Sequence, residues 1–253
     1  MTGRPLLHRK AALYLRGSDD SKGQEVSGST MRDRLVPDDP ATRRERHERL
    51  LAECRGMPQL KEMLPCRLNR SFWVFGYGSL MWNPGFPHLE ARPALLHGYH
   101  RRFCLFSHNY RGTPEHPGLV LGLDKGGSCR GMAFLVDCKD SEPVLDYLHE
   151  REMATRAYTP RLVALQTAAE AVQGLAFVVN RRHQNYTGPL SLEATATLIA
   201  DAAGKRGPCA EYLDNTVRHL EELAIDPGQL RPLLALVRTR CREQRQAAAT
   251  GGD

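Results

Sequence analysis

Residues 72–80 read FWVFGYGSL, a β-prone apolar run that stops at two glycines placed on either side of a tyrosine. Aromatic and β-branched residues favour a strand, and glycine favours the turn that ends it. Two glycines so close together also let consecutive backbone N–H groups point at one spot, which forms a cradle for an anion or oxyanion. The sequence predicts a strand and a turn here, and leaves open whether the turn is structural or binds an anion.

Five further strands are predicted downstream of this turn, at residues 94–106, 118–124, 129–137, 156–165 and 171–179. Residues 125–128 read KGGS and predict a hairpin loop between two of these strands. Helical spacing of apolar residues follows, across 213–224 and 230–241. Asp226 and Pro227 predict the start of the second helix, as its cap and first-turn residue. Strands followed by helices indicate an α+β domain whose strands curl into a small barrel.

The composition is that of an ordinary globular protein. Of the 253 residues, 41% are hydrophobic and 25% are charged, which is enough for a substantial core. No apolar run reaches the ~18–20 residues that span a bilayer, so no membrane partner is expected. The seven cysteines form no CxxC pair and are odd in number, which indicates reduced thiols and a cytoplasmic location.

The net charge of +6 is concentrated in the first 70 residues, where 15 Lys and Arg accompany 10 Asp and Glu. The rest of the chain is almost neutral, so no nucleic-acid partner is expected. We interpret residues 1–65 as a basic N-terminal extension, partly disordered, with a helix at 40–64 indicated by mixed charges at i,i+4 spacing. Met31 is an alternative start. The main domain is expected at 66–246 and a disordered tail at 247–253.

Motifs for cofactors and metals are incomplete. Gly76 and Gly78 begin a dinucleotide-binding GxGxxG motif, but Met81 stands where the third glycine belongs. His149 begins a zinc-binding HExxH motif, but Met153 replaces the second histidine. We therefore expect neither a cofactor nor a metal, and assign no metal ligand.

One carboxylate interrupts the apolar face of a predicted helix at residues 141–153. The polar face carries acidic residues at i,i+4 spacing: Glu142, Asp146 and Glu150. With 3.6 residues per turn, Glu152 lies about 20° from Leu145, on the apolar face. Desolvation there would raise the pKa of Glu152 towards neutrality and make it a usable proton acceptor. The alternative is a helix that frays first and leaves Glu152 in solvent, and periodicity alone does not decide between them.

Several sequence blocks, in this order, resemble the ChaC family of glutathione-specific γ-glutamylcyclotransferases across residues 72–240. They are VFGYGSLMW at 74–82, GYHRRF at 98–103, YRGTP at 110–114, GLVLGL at 118–123, YLHERE at 147–152, NYTGP at 185–189 and AEYL at 210–213. The ordered series is far more specific than any single block. The resemblance implies a γ-glutamylcyclotransferase-like fold, a small mixed β-barrel with flanking helices.

The resemblance also implies the site and the reaction. The catalytic glutamate of the family corresponds to Glu152, and Tyr212 corresponds to a further active-site residue. The substrate-binding turn corresponds to Tyr77, Gly78, Ser79 and Leu80. The implied activity is cofactor-independent release of 5-oxoproline and Cys-Gly from glutathione. Internal cyclisation makes an acyl-enzyme unnecessary, so we assign Ser79 a turn role instead of a nucleophilic one.

Arg111 is the best cationic candidate for the glycine carboxylate of glutathione, and a plain surface arginine is an equal alternative. Three cysteines with apolar neighbours are expected to pack rather than react: Cys104, Cys129 and Cys138. Two rival functions remain. A cyclotransferase for other γ-glutamyl amines would keep the same residues and differ in its leaving group, whereas a transport-regulatory protein would bind a partner without catalysis. A monomer is expected, because the main domain is neutral and lacks a large aromatic patch.

Overall fold

A computed structural model of the protein describes residue 60 and residues 71–250. Five strands form a closed barrel: β1 (Phe72–Gly76), β2 (Glu90–Ser107), β3 (Gly118–Val136), β4 (Tyr158–Thr167) and β5 (Ala171–Val179). Their order around the barrel is β1-β3-β2-β4-β5. Parallel pairing of β1 with β5 closes the barrel, and the other barrel pairs are antiparallel. The mixed barrel predicted above is therefore confirmed.

Four α-helices between residues 71 and 250 flank the barrel. They are α1 (Ser141–Glu152), α2 (Leu192–Asp201), α3 (Cys209–Glu222) and α4 (Leu230–Thr250). The first lies between β3 and β4, and the others follow β5. A short hairpin of β6 (Ala203–Gly204) and β7 (Gly207–Pro208) joins α2 to α3. The described part of the chain contains no helix that is both long and apolar enough to cross a membrane.

Two apolar clusters hold the helices against the barrel. One fills the barrel and reaches α2, α3 and α4, and includes Phe75 and Leu213. The other lies between the barrel and α1, and includes Val74 and Leu148. Because successive strand residues point to opposite faces, β1 contributes to both clusters. Leu60 is only 3% exposed and also belongs to the second cluster, although it precedes the domain boundary expected at residue 66.

The hairpin loop predicted at residues 125–128 is wrong. β3 passes through this segment without a break and pairs with β2 on both sides of it. The register of the β2–β3 ladder shifts opposite the segment, between His97 and Tyr99. Gly126 and Gly127 have φ values of +107° and +66°, which glycine adopts without a steric cost. The glycines therefore form a β-bulge within a long ladder instead of a turn between two strands.

The predicted start of the last helix is also wrong. The helix begins at Leu230, and Asp226 and Pro227 form a turn before it. The Asp226 carboxylate accepts a hydrogen bond from the N–H of Gly228 at 3.1 Å, and the Pro227 carbonyl accepts one from Leu230 at 3.1 Å. These contacts satisfy the local backbone in a turn and delay the helix.

The C-terminal end of α4 differs from the sequence expectation as well. Residues 247–250 are helical, where a disordered tail was predicted for 247–253. Three successive alanines at 247–249, the residue type with the highest helix propensity, account for the continuation. The helix predicted at 40–64 lies outside the described residues except for Leu60.

Candidate active site

Glu152 is the last residue of α1, and its side chain is 15% exposed. The helix does not fray before it, because the N–H of Met153 still bonds to the His149 carbonyl at 2.9 Å. Leu145 and Leu148 are buried on the same face, as the periodicity predicts. Burial raises the pKa of the Glu152 carboxyl above its usual value, and the neighbouring arginine opposes part of this shift. The carboxylate is therefore held in a poorly solvated position at the end of α1.

Arg151 connects this carboxylate to the turn that follows β1. Its Nε lies 3.2 Å from Glu152 Oε1, and its Nη2 donates to Ser79 Oγ at 2.9 Å. Its Nη1 donates to three more oxygens: the Tyr147 hydroxyl at 2.6 Å and the carbonyls of Asn83 at 2.9 Å and Pro84 at 3.3 Å. One guanidinium thus joins α1, the carboxylate and the turn.

The predicted glycine turn is a short 3₁₀ turn at Ser79–Met81. The N–H of Met81 bonds to the Gly78 carbonyl, and the N–H of Asn83 bonds to the Ser79 carbonyl, both at 2.9 Å. The N–H groups of Ser79 and Leu80 begin the turn, where a helical backbone offers them no acceptor. Leu80 is buried and fixes the turn against the core, whereas Gly78 and Ser79 are partly exposed. The turn can therefore present backbone donors to an anion.

Trp82, at the end of this turn, packs against α3. Its ring stacks on the His219 imidazole, with centroids 4.4 Å apart and planes 17° from parallel. His219 is itself held by the Asn215 carbonyl, 2.6 Å from its Nδ1. The turn is thus attached to α1 through Arg151 and to α3 through Trp82.

Three tyrosines lie around Glu152: Tyr77, Tyr158 and Tyr212. Burial raises the pKa of all three phenols, and the Glu152 charge adds to each shift. The Tyr158 hydroxyl donates to the Leu121 carbonyl at 2.7 Å, and the backbone of Leu121 is also a hydrogen-bond partner of Tyr212. The site therefore combines one carboxylate with neutral phenols that can donate hydrogen bonds.

Arg111 lies beside Tyr212 at the edge of the site. Its guanidinium carbon is 5.2 Å from the centre of the Tyr212 ring. Its Nη1 donates to the Pro208 carbonyl at 3.2 Å, and its backbone N–H donates to Ser107 Oγ at 3.1 Å. All of these contacts are to neutral groups. The structure brings Arg111 and Tyr212 together, as the sequence could not establish.

A second charged cluster braces β3 next to the site. The Asp124 carboxylate is 1% exposed and lies 2.7 Å from Arg181 Nε and 3.4 Å from Arg102 Nη1. The Tyr186 hydroxyl donates to it at 3.0 Å. Burial alone would raise the pKa of Asp124, but the hydrogen bond from Arg181 and the other partners bring it below its usual value. Asp124 is therefore an ionised structural group rather than a proton acceptor.

The five cysteines within the described residues are free thiols. Cys104, Cys129 and Cys209 are buried, and burial raises the pKa of all three. The pKa of Cys104 rises to about 12 and that of Cys209 to about 11. Such thiols are packing groups, which agrees with the role expected for Cys104 and Cys129.

Two surface clefts lie away from Glu152. One, of about 670 Å³, is lined by residues of α3 and α4, and the other, of about 340 Å³, lies along β2 and β4. Neither is lined by Glu152 or by the turn at 77–81. The candidate site is therefore defined by its side-chain contacts and not by either cleft.

The barrel and its flanking helices match a crystal structure of a yeast γ-glutamylcyclotransferase specific to glutathione. The TM-score is 0.62, with 23% sequence identity, over 68% of this chain and 97% of the yeast chain. The fold of the described residues is that of the γ-glutamylcyclotransferases.

Comparison with sequence relatives identifies the family within this fold class. The family model for ChaC-like protein matches residues 72–240. The glutathione-specific γ-glutamylcyclotransferase of Escherichia coli K12 is 36% identical over 181 residues, which are 71% of this chain and 78% of the relative. The human glutathione-specific γ-glutamylcyclotransferase 1 is 34% identical over 149 residues, which are 57% of this chain and 67% of the relative. This chain belongs to the ChaC-like family.

Arg151 and Tyr158 surround Glu152, but reasoning from the sequence did not select them as site residues. The only local signal for Arg151 is its position next to the unusual carboxylate. Its other partners belong to the turn after β1, and Tyr158 bonds to a strand carbonyl. Contacts of this kind leave no periodic pattern in the sequence.

Proposed function

We propose that this chain is a glutathione-specific γ-glutamylcyclotransferase in which Glu152 acts as both general base and general acid. The observation that carries the role of Glu152 is its burial beside the turn after β1, to which Arg151 links it. The activity named for the bacterial and human relatives supports glutathione as the substrate.

The reaction requires the transfer of one proton and no cofactor. The α-amine of the γ-glutamyl group attacks its own γ-carbonyl carbon and forms the C–N bond of the five-membered 5-oxoproline ring. The C–N bond to Cys-Gly then breaks. Counted from the neutral amine, the attacking nitrogen loses one proton and the leaving nitrogen gains one. The additional proton of the ammonium form ends on the released amine of Cys-Gly or in solvent. Because an α-amine has a pKa of about 8, it is mostly protonated at pH 7 and a base must first remove a proton.

Glu152 suits both proton steps because its pKa is raised. As a carboxylate it accepts the proton of the attacking amine, and as a carboxylic acid it returns that proton to the leaving nitrogen. Assistance of this kind typically accelerates a reaction about 10²–10⁴-fold. Alignment of the amine with the γ-carbonyl supplies the larger share, since effective molarities of aligned intramolecular reactions reach about 10⁵–10⁸ M.

Substrate binding is assigned to the turn and to Arg111. We assign the α-carboxylate of the substrate to the backbone donors of Gly78, Ser79 and Leu80, because that contact fixes the direction of the attacking amine. The Ser79 hydroxyl already accepts from Arg151, which favours a structural role over a nucleophilic one. We assign the glycine carboxylate to Arg111, supported by the neighbouring Tyr212 ring.

Partners and location follow from the same proposal. Glutathione is a small cytoplasmic thiol, and the free thiols in the described part of the chain support a cytoplasmic protein. A monomer remains our expectation. Other γ-glutamyl amines would fit the same turn and base, and they test the specificity that Arg111 provides.

The decisive experiment compares Glu152→Gln with Glu150→Gln. Glutamine keeps the shape of Glu152 and removes the base, so we expect release of 5-oxoproline and Cys-Gly to fall about 10²–10⁴-fold. Glu150 lies on the same helix and is exposed, so its variant should match the wild type. Full turnover by a folded Glu152→Gln protein would disprove the mechanism.

The same assay separates the rival activities. A wild-type protein that cyclises γ-glutamyl-alanine or γ-glutamyl-lysine but leaves glutathione intact would show a different specificity. A wild-type protein that turns over none of these substrates but binds a partner would support the regulatory alternative.

A further inference from the structure

The hydrogen bonds of Arg151 fall into two groups. Four neutral oxygens accept from its two Nη atoms: Ser79 Oγ, Tyr147 Oη and the carbonyls of Asn83 and Pro84. Its Nε faces Glu152 Oε1 at 3.2 Å. Because the neutral contacts do not depend on the charge of Glu152, they hold the guanidinium in place while the carboxylate gains and loses a proton.

The pair is poorly screened by solvent. The side chain of Arg151 is 20% exposed and that of Glu152 is 15% exposed. A buried carboxylate without a cationic neighbour shifts to its neutral form, which cannot accept a proton from an amine. A cation held beside it by other contacts favours the ionised form. The Arg151 cation thus favours the ionised form of Glu152, which is the form that the proposed reaction needs as its base.

The chain leaves room for this arrangement at Gly85. A Cβ at residue 85 would lie 2.0 Å from the Tyr147 hydroxyl, the group that accepts from Arg151 at 2.6 Å. Gly85 also has a φ of +75°, which a residue with a side chain rarely adopts. Glycine at residue 85 therefore leaves the space in which the Tyr147 hydroxyl accepts the hydrogen bond from Arg151.

From this geometry we infer that Arg151 is a positioning residue for the cyclisation, which keeps Glu152 ionised and holds it against the substrate turn. The inference rests on the proposed function, because it explains how the assigned base remains competent. Arg151 makes two separate contributions, one through its charge and one through its geometry. The positive charge favours the carboxylate form of Glu152, and the planar fork fixes the distance between Glu152 and the turn.

The test compares Arg151→Gln and Arg151→Lys with the wild type in pH profiles of kcat/KM for glutathione. Loss of an opposite charge within about 4–6 Å raises a carboxyl pKa by about 1–3 units. The acidic limb of Arg151→Gln should therefore move up by about 1–3 pH units. Arg151→Lys keeps the charge but not the fork, so it should keep the acidic limb and lose kcat. Arg218→Gln is the matched control, since Arg218 is 53% exposed on α3 and should leave both values unchanged.

A measurement without turnover separates this inference from the proposed function. Proteins labelled with ¹³C at glutamate side-chain carboxyls are titrated by NMR, and Glu152→Gln identifies the signal of residue 152. We expect the Glu152 midpoint to rise in Arg151→Gln. An unchanged midpoint and an unchanged acidic limb in a folded variant would overturn the inference. If the wild type fails to turn over glutathione, the proposed function fails, and the titration still decides the charge effect.

A milder variant covers the case in which Arg151→Gln does not fold. Tyr147→Phe keeps the ring and removes one of the four neutral acceptors. We expect kcat to fall severalfold while the acidic limb stays in place, because the charge of Arg151 is retained. Wild-type kcat in Tyr147→Phe would contradict the positioning role.

Discussion

Replacing Gly131 with alanine should impair catalysis, although residue 131 lies in β3 and outside the assigned site. A Cβ on residue 131 would lie 2.3 Å from the carbonyl oxygen of Gly76 and 2.8 Å from the Phe75 ring. Cβ atoms essentially never approach other heavy atoms within 3.0 Å, so residue 131 and the Gly76 carbonyl would have to separate by at least about 0.7 Å. Gly76 ends β1, and the next residue is Tyr77.

This displacement has two measurable consequences. Overpacking of a buried strand costs about 1–3 kcal/mol, which lowers the melting temperature by about 2–12 °C at about 2–4 °C per kcal/mol for a chain of this size. A misplacement of about 1 Å in a catalytic group can cost about 10²-fold in rate. We therefore expect kcat/KM for glutathione to fall about 10–100-fold at temperatures where Gly131→Ala is fully folded.

Thermal unfolding by circular dichroism and release of 5-oxoproline provide the two readouts. Phe75→Leu, alone and combined with Gly131→Ala, serves as the control for the aromatic contact. The Gly76 carbonyl is backbone and cannot be removed, so the double variant should stay as inactive as Gly131→Ala. Wild-type stability and activity in Gly131→Ala would refute the argument. Recovery in the double variant would show that the Phe75 ring and not the carbonyl is limiting.

Two further predictions follow from buried carboxylates. Asp124→Asn should lower the free energy of unfolding at pH 7 by about 1–3 kcal/mol, a modest loss because Arg181 is 48% exposed and can be rehydrated. The pKa of Asp124 is depressed in the folded state, so its contribution is present above about pH 4 and disappears as pH falls through the lower folded value. Urea unfolding should show a smaller difference in the free energy of unfolding between wild type and Asp124→Asn at pH 3 than at pH 7. An equal difference at both pH values would contradict this prediction. For Glu152 the pKa is raised, so kcat/KM should fall as pH drops through a midpoint above 4.5, and a pH profile with its acidic midpoint at or below 4.5 would count against this base.

Helical periodicity, a local property, singled out Glu152 as a carboxylate on an apolar face but left its burial open, and the resemblance to the ChaC family implied its catalytic role. A carboxylate where the stripe of Leu145 and Leu148 continues is visible in one short segment, and the structure places it at the end of an intact α1. Arg151 was not selected from the sequence because several of its partners lie far away along the chain. Two of its acceptors are carbonyls of residues 83 and 84, separated from it by 68 and 67 positions in the sequence. Any residue type presents a carbonyl, so the sequence carries no mark of that contact.

In the barrel, too, local features could be predicted from the sequence and pairings between distant segments could not. The β-prone segments were predictable one by one, but the parallel pairing of β1 with β5 that closes the barrel joins segments about one hundred residues apart. Residues 125–128 were misread because two adjacent glycines favour a turn when the strand is considered alone. Only pairing with β2, where Gly98 also has a positive φ, identifies the bulge.

The buried sulfurs have a consequence for an enzyme that handles a thiol. Glutathione exists together with its oxidised dimer, and mixed-disulfide exchange begins from a thiolate on the protein. Cys104 and Cys209 are fully buried with pKa values raised to about 12 and about 11, so almost no thiolate forms on them at neutral pH. At these two residues the catalyst is shielded from S-glutathionylation by the redox couple to which its own substrate belongs.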